Sequence, residues 1–162
     1  APIVFEGKEM DYVQEHLRIL SGFYGVLKPF DGVTPYRLEM QAKAKGISGT
    51  KDLYDFWGEK LYNEVIDEEH IILNLASKEY SKIIEKYLKE EDHFVTCIFG
   101  EMVNGKVQQK GTMAKMARGE MVRYMAENQI EDLKEIQKFD RLGYLYHEEL
   151  SGENEYVFLK ET

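Results

Sequence analysis

Apolar side chains recur at intervals of three and four residues in four stretches of the chain, a spacing typical of helices with one buried face. The stretches are Asp11–Lys28, Asp52–Val65, the run that follows Ser77, and the segment 112–129, "TMAKMARGEMVRYMAENQ". Glycines near the end of the first stretch weaken it, because glycine is a poor helix former. A further short helix or turn is predicted for residues 131–139, "EDLKEIQKF".

Strand-like runs rich in β-branched and aromatic residues lie between these helices. "HIILNLAS" at 70–77 predicts a short buried strand. Asn104-Gly105 predicts a tight hairpin, since this dipeptide readily takes the positive φ angles of the turn. A second hairpin is predicted where "GYLYHEEL" and "NEYVFLK" flank Ser151-Gly152-Glu153. Helices and hairpins that mix without regular β-α-β alternation favour an α+β fold around one core, with a single domain over residues 1–162.

Composition and charge narrow the class of protein. The 162 residues carry a formal net charge of −9 and a single cysteine. The acidic balance disfavours indiscriminate polyanion binding but allows a local basic cleft. No apolar run approaches the roughly 20 residues that span a bilayer, so no membrane partner is predicted. Cys97, in the strand-like "FVTCIF", is interpreted as a buried, inert thiol rather than a redox-active one, and the usage fits a reducing cytoplasm.

The segment "HLRILSGFYGVLKPFDGVTPYRLEM", residues 16–40, is the first candidate for a binding site. Its basic side chains surround a compact run of Gly, Tyr and Pro, and a guanidinium fork matches phosphate or carboxylate oxygens. Two glycines three residues apart allow backbone to approach an anion closely. The alternative is an ordinary structural turn, with strand residues flanking a buried leucine further on. The candidate anion-binding residues are Arg18, Gly22, Gly25, Lys28, Tyr36, Arg37 and Glu39.

The second candidate is "KMARGEMVR", residues 115–123. Lys115 and Arg118 are three residues apart and share one helix face, and Arg123 lies near that face but not squarely on it. Gly119 in the middle of a helix costs about 1 kcal/mol relative to alanine, which suggests close packing or the approach of a ligand. The alternative is a solvated basic face over a methionine-rich core formed by Met113, Met116, Met121 and Met125.

The third candidate is "NLASKEY", where a strand ends and a helix begins. Asn74, Ser77 and Tyr80 would lie near a helix N-terminus, where anionic ligands often bind; helix capping by the serine and burial of the tyrosine are the alternatives. The four histidines are scattered, and "DEEH" at 67–70 and "HEE" at 147–149 are interpreted as solvated charge. The sequence therefore predicts no metal site and no cofactor.

Three segments taken together resemble the YaaA family of peroxide-stress proteins. They are residues 16–40, "DLYDFWGEKL" with "NLASKEY", and "AKMARGEMVRYMAENQ" with "FDRLGYLYHEELSGENEYVF". The resemblance implies a cytoplasmic protein that protects cells from hydrogen peroxide, limits free iron and binds DNA, including branched DNA. It also implies an α+β fold with a basic cleft and a helix-hairpin-helix element, which here falls at about Asp11–Pro35.

The family's motifs fall on His16–Arg18, Pro35–Met40, Asn74–Ser77 with Tyr80 after it, and Lys115–Gly119 with Arg123 beyond. Lys28 stands where an arginine is usual, and Met116 where a second lysine is common; both departures weaken phosphate contacts. The family's first strand and its "SPAKT" segment are not matched, so the resemblance implies that the chain corresponds to roughly the C-terminal two-thirds of a member. DNA binding by this part alone is left open.

Two functions are consistent with these features. The first is a non-enzymatic stress protein that binds duplex or branched DNA without sequence preference. The second is an enzyme or binder of a small phosphorylated or carboxylated metabolite, clamped by Arg37, Lys115 and Arg118. In that alternative Glu39, Tyr36 or Tyr80 would act as acid or base. Direct iron sequestration is disfavoured, because no convincing ligand cluster is visible.

Overall fold

The computed structural model describes residues 7–21, 25–27 and 58–161. These residues divide between two compact units. The first unit contains the described residues of Ala1–Glu15, Leu73–Leu75 and Phe94–Thr162, and the second contains those of His16–Ile72 and Ala76–His93. Each unit combines helices with strands. The prediction of a single domain over residues 1–162 stays a prediction.

The secondary structure of the described residues alternates short strands with helices. The strands are β1 (Ile19–Ser21), β2 (Gly25–Leu27), β3 (Ile71–Asn74), β4 (His93–Val103), β5 (Lys106–Gln108), β6 (Tyr144–Tyr146) and β7 (Glu155–Lys160). The α-helices are α1 (Gly7–His16), α2 (Lys60–Val65), α3 (Lys78–Glu85) and α4 (Gly111–Glu127). Short 3-10 helices cover Leu133–Lys138, Arg141–Gly143 and Glu148–Leu150.

A mixed sheet with strand order β3-β4-β7-β6 organises the first unit, and β5 pairs with β4. Strands β4 and β7 are parallel, with Phe99 opposite Phe158. Strand β5 is antiparallel to β4, and β6 is antiparallel to β7. A mixed sheet accompanied by helices confirms the α+β class. None of the helices in the described ranges is long and apolar enough to cross a membrane.

The core of the first unit lies between this sheet and α4. Phe99 is fully buried at its centre, stacked on Phe158 with ring centroids 5.1 Å apart. Phe139 and Tyr144 make edge-to-face contacts with the Phe99 ring, with ring centroids 5.8 and 5.4 Å apart. Such offset and edge-to-face contacts stabilise aromatic clusters beyond their buried area. The cluster also contains small and apolar side chains of α4 and the neighbouring strands, among them Ala114, Ala117, Met121, Val95 and Cys97.

Several sequence-based predictions for this unit are confirmed. Asn104 and Gly105 both have positive φ angles, 52° and 79°, and connect β4 to β5 as a tight hairpin. The second hairpin joins β6 to β7, with Leu145 opposite Leu159. Cys97 is buried, and burial raises the pKa of its thiol, which fits the inert interpretation.

The prediction of one helix over Asp11–Lys28 is wrong. Helix α1 ends at His16, and residues 19–21 and 25–27 form the antiparallel pair β1–β2, with Ser21 opposite Gly25. The apolar residues of this stretch satisfy a helical spacing and also fit a short strand pair. The glycines disfavour a continued helix, which favours the second structure.

The prediction of one helix over Asp52–Val65 is confirmed only at its C-terminal end. Helix α2 begins at Lys60, after a turn in which Gly58 has a φ of 53°, a conformation that interrupts a helix. Residues 52–57 lie outside the described ranges. The strand predicted in "HIILNLAS" is β3, but it is not fully buried, since Ile71 is 45% exposed and only Asn74 is buried.

Candidate functional site

Helix α4 carries a cationic face that includes Lys115 and Arg118. Its sequence is rich in good helix formers such as Ala, Met, Lys and Glu. Ala114, Ala117 and Met121 are buried against the aromatic core and fix the rotation of the helix. Lys115 is therefore exposed and Arg118 partly buried. The predicted methionine core is wrong for Met116, which is 60% exposed.

Neither Lys115 nor Arg118 has a hydrogen-bond or ion-pair partner among the described residues. Burial lowers the pKa of the Arg118 guanidinium, and no carboxylate counteracts this effect. Because a partly desolvated cation without an acceptor is unfavourable, an anionic ligand would gain binding energy there. We call Lys115, Arg118 and Gly119 the α4 basic face.

Arg123 differs from these two residues because its charge is already compensated. Its Nε donates to Oε1 of Glu127 at 2.9 Å. Arg141 donates to the other carboxylate oxygen of Glu127 at 2.5 Å and to Glu120 at 3.2 Å. The hydrogen bonds from Arg141 and then Arg123 hold the pKa of Glu127 below its ordinary value. The structure therefore gives Arg123 a structural partner rather than an open position for phosphate.

Gly119 is not explained by close packing among the described residues. A Cβ atom built at this position would have no neighbouring atom within 4 Å. Its φ is not positive, so the backbone does not require glycine either. Of the two explanations that the sequence suggested, close packing is not supported, and the approach of a ligand stays a prediction. Without a side chain at this position, a bulky group could come close to the helix backbone beside Lys115 and Arg118.

Replacing Gly119 with alanine is expected to stabilise the protein. Alanine is about 1 kcal/mol more favourable in a helix interior, and nothing obstructs its methyl group. The expected rise in melting temperature, measured by circular dichroism, is about 2–4 °C for a chain of this size. Gly152→Ala, in a loop with equally open surroundings, should change it much less. A lower melting temperature for Gly119→Ala would show that the glycine is required by the fold.

The residues of "NLASKEY" have structural roles in the two units. Asn74 is buried in the first unit, and its side-chain amide donates to Oγ1 of Thr96 at 3.2 Å. In the second unit, Ser77 precedes α3 as its N-cap residue, as predicted, but its side chain makes no capping hydrogen bond. Tyr80 is partly buried on the first turns of α3. The alternatives of capping position and burial therefore describe these residues better than exposed ligand contacts.

The predicted anion site in residues 16–40 can be followed only at two positions. Arg18 is partly buried in the second unit, and its Nη1 donates to its neighbour's carbonyl, Leu17 O, at 2.8 Å. Gly25 lies in β2, opposite Ser21. The other candidates lie outside the described residues: Gly22, Lys28, Tyr36, Arg37 and Glu39.

A polar cluster in the second unit was missed by the sequence interpretation. Asp92 has a side chain only 1% exposed, and its Oδ1 accepts a hydrogen bond from Nδ1 of His70 at 2.8 Å. Its Oδ2 accepts from the Tyr62 hydroxyl and from the Lys89 backbone N–H. Burial raises the pKa of Asp92, but the hydrogen bonds from Tyr62, Lys89 and His70 outweigh it and lower the pKa overall.

The interpretation of "DEEH" and "HEE" as solvated charge is confirmed for their exposed acidic residues, but both histidines are partly buried and bonded to carboxylates. His70 contacts a buried carboxylate, as above, and His147 is bonded through Nδ1 to Glu149 and through Nε2 to Glu161. Only part of the signal for the first pair was available in the sequence, because the order of the strands comes from the structure. His70 and Asp92 each come directly before a strand, β3 and β4, and those strands are neighbours in the sheet.

Comparisons with known proteins match most of the chain. A family model described as "Peroxide stress protein YaaA" matches residues 2–150. "UPF0246 protein" of Agathobacter rectalis is 62% identical over 158 residues, 98% of this chain and 63% of its own length. The protein of the same name from Lachnoclostridium phytofermentans is 62% identical over 160 residues, and that from Pediococcus pentosaceus 55% over 160. These matches cover 99% of this chain and 62% and 63% of the relatives.

The chain therefore spans slightly less than two thirds of the length of the curated relatives that it matches. That the matched part is their C-terminal portion stays a prediction.

Proposed function

Since the chain belongs to the peroxide stress protein YaaA family, we propose that it protects cells from peroxide by binding the DNA phosphate backbone. The α4 basic face supplies the contact in this proposal. The observation that carries it is the partly buried Arg118, which has no acceptor within the described part of the chain. Its guanidinium can donate two parallel hydrogen bonds to one phosphate, and Lys115 adds a mobile charge next to it.

The proposal predicts binding without sequence preference. Phosphate contacts position a protein on DNA but do not read bases, and the proposal assigns both Lys115 and Arg118 to phosphates. The overall charge of −9 opposes DNA, so affinity depends on local contacts and is expected to fall steeply with salt. The same charge makes extended coating of duplex DNA unfavourable, which favours a limited footprint such as a junction or a bend.

The test is fluorescence anisotropy of a labelled four-way junction titrated with the protein at several salt concentrations. The double variant Lys115→Ala/Arg118→Ala is expected to bind at least about tenfold more weakly. It should also lose about 2 units of the log–log salt slope, since each phosphate contact contributes about 0.9. The control Arg123→Ala/Lys134→Ala also removes one arginine and one lysine. It should retain the wild-type slope, because Arg123 is paired with Glu127 and the exposed Lys134 lies outside α4.

Two results would reject the proposal. One is wild-type binding that the Lys115→Ala/Arg118→Ala variant retains in full. The other is the absence of binding to both junction and duplex DNA in low salt. Circular dichroism of each variant separates a lost contact from a lost fold.

A small phosphorylated or carboxylated metabolite is the second candidate ligand. The partial burial of Arg118 favours it, since a compact anion fits a recessed guanidinium more easily than a duplex does. A thermal-shift screen of nucleotides and sugar phosphates tests this alternative. A ligand that raises the melting temperature of the wild type but not of Arg118→Ala would support it over DNA.

Three further parts of the proposal depend on the family rather than on the described residues. They are the limitation of iron-driven damage, the cytoplasmic location, and a helix-hairpin-helix element that binds DNA. The third needs revision, because Gly25–Leu27, where its second helix would begin, form strand β2. The proposal therefore rests on α4 and not on that element.

A further inference from the structure

We propose that His70, Glu91 and Asp92 form a binding site for a divalent transition-metal ion. One ligand atom from each of these residues lies within 4.8 Å of those of the other two, and no other such group of three occurs among the described residues. The proposal is independent of DNA binding and uses no residue of α4. It concerns only the second unit, to which all three side chains belong.

The hydrogen bonds of Asp92 leave one oxygen suited to a metal ion. Oδ2 is held by the Tyr62 hydroxyl and the Lys89 backbone N–H, so the carboxylate is fixed in place. Among the described residues, Oδ1 accepts only from Nδ1 of His70, at 2.8 Å. A metal ion can replace the hydrogen of that bond. The neutral imidazole then carries its hydrogen on Nε2 and binds the ion through Nδ1, and Oδ1 binds as the adjacent ligand.

His70 is also held in place by its backbone. Its N–H donates to the carbonyl of Asp67 at 3.2 Å, and its carbonyl accepts from the N–H of His93 at 2.7 Å. Its φ of 56° is uncommon for a residue with a side chain. The residue is thus fixed from both sides in a conformation that points its ring at Asp92. Side chains that are already held in place lose little conformational entropy when an ion binds.

Glu91 supplies the third ligand and the access route. Its side chain is exposed, and that of His70 is 40% exposed, so an ion can enter from solvent. Two atoms that each lie about 2.1 Å from one zinc ion are at most about 4.2 Å apart. The ligand atoms of the three residues lie up to 4.8 Å apart. Because Glu91 is on the surface, its side chain can rotate and bring its carboxylate closer to the other two ligand atoms. Three protein ligands leave the other positions of the ion to water, which is the arrangement of an open rather than a closed site.

The donor set defines the class of ion. One imidazole and two carboxylates suit Zn²⁺, Co²⁺ or Mn²⁺, whereas Mg²⁺ prefers oxygen ligands alone and retains its waters. No thiolate takes part, since Cys97 is buried in the core of the first unit. We therefore expect the ion to bind with moderate affinity and to exchange with ions in solution.

The test uses Co²⁺ and Zn²⁺ as probes on untagged protein, by calorimetry and by the visible absorption of bound Co²⁺. We expect one ion per chain in the wild type and no matching signal with Mg²⁺. Glu91→Gln and His70→Asn should each weaken binding at least about tenfold; asparagine tolerates the positive φ at position 70. Tyr62→Phe, which removes a supporting hydrogen bond, should weaken it about 10- to 100-fold.

Two matched controls distinguish this site from surface binding. Glu90→Gln makes the same charge change one residue away, and His147→Asn removes a histidine that also contacts two carboxylates. Both should bind the ion as the wild type does. Equal binding by wild type and Glu91→Gln would overturn the proposal, as would loss of binding in His147→Asn alone. Failure of the wild type to bind either probe would overturn it as well.

Discussion

Phe99→Ala is expected to destabilise the protein by about 3–5 kcal/mol, the range measured when a fully buried phenylalanine is truncated in a tight core. The Phe99 side chain is 0% exposed and contacts three other aromatic rings. Those rings come from β7, β6 and the segment after the first 3-10 helix, so they cannot move together to fill the space. The free energy of the lost contacts and the cost of the cavity therefore add to one another.

Urea denaturation measures this effect as a lower midpoint with an unchanged slope. Met102→Ala, on the same strand, is the matched control. Its side chain is 48% exposed, and the expected change is within about 0.5 kcal/mol. A similar loss in both variants would mean that the aromatic cluster is not the centre of the core.

The position of Phe99 shows what the sequence could and could not predict about the fold. Local signals were reliable: Asn104-Gly105 predicted a hairpin, and the spacing of small and apolar residues predicted α4. The parallel pairing of β4 with β7 was not predictable in this way. It joins residues more than fifty positions apart, and it depends on the packing of whole elements rather than on any local pattern.

The first helix shows the opposite limit, a local pattern that fits two structures. A strand pair three residues long has too few positions for its alternation to be distinguished from helical spacing. The backbone pairing of Ile19 with Leu27 across β1 and β2 shows that strand formation outweighs helix propensity here. For this reason the predicted helix-hairpin-helix element is not confirmed at Gly25–Leu27, which form strand β2.

For the candidate site, helix geometry alone predicted which residues share a face. It placed Lys115 and Arg118 together correctly, but it could not tell that Arg123 would pair with Glu127. It also did not reveal that Arg141, from another element, would add its charge to that pair. Candidate cations are therefore best ranked by the acceptors that the fold provides. That ranking favours Arg118. In the other unit, the fold also places His70 beside the acceptor Asp92.

Gly100→Ala is expected to destabilise the protein by about 1–3 kcal/mol, as overpacking in a tight core does. A Cβ at this position would lie 2.8 Å from the backbone oxygen of Gln108 and 2.9 Å from Cγ1 of Val107. Backbone atoms cannot yield as a flexible side chain can, so β5 would have to move away from β4. The hydrogen bond from Phe99 N–H to Oε1 of Gln109, at 3.2 Å, would be strained by the same movement.

Hydrogen exchange of the amides of Lys106–Gln108 locates this effect, and urea denaturation gives its size. We expect faster exchange in β5 and a lower midpoint. Gly119→Ala makes the same chemical change and is expected to have the opposite sign, because its surroundings are open. If Gly100→Ala proved as stable as the wild type, the close approach of β5 to β4 would be wrong. Glycine is thus required at position 100, where two strands approach closely, whereas the open surroundings of Gly119 accept a methyl group.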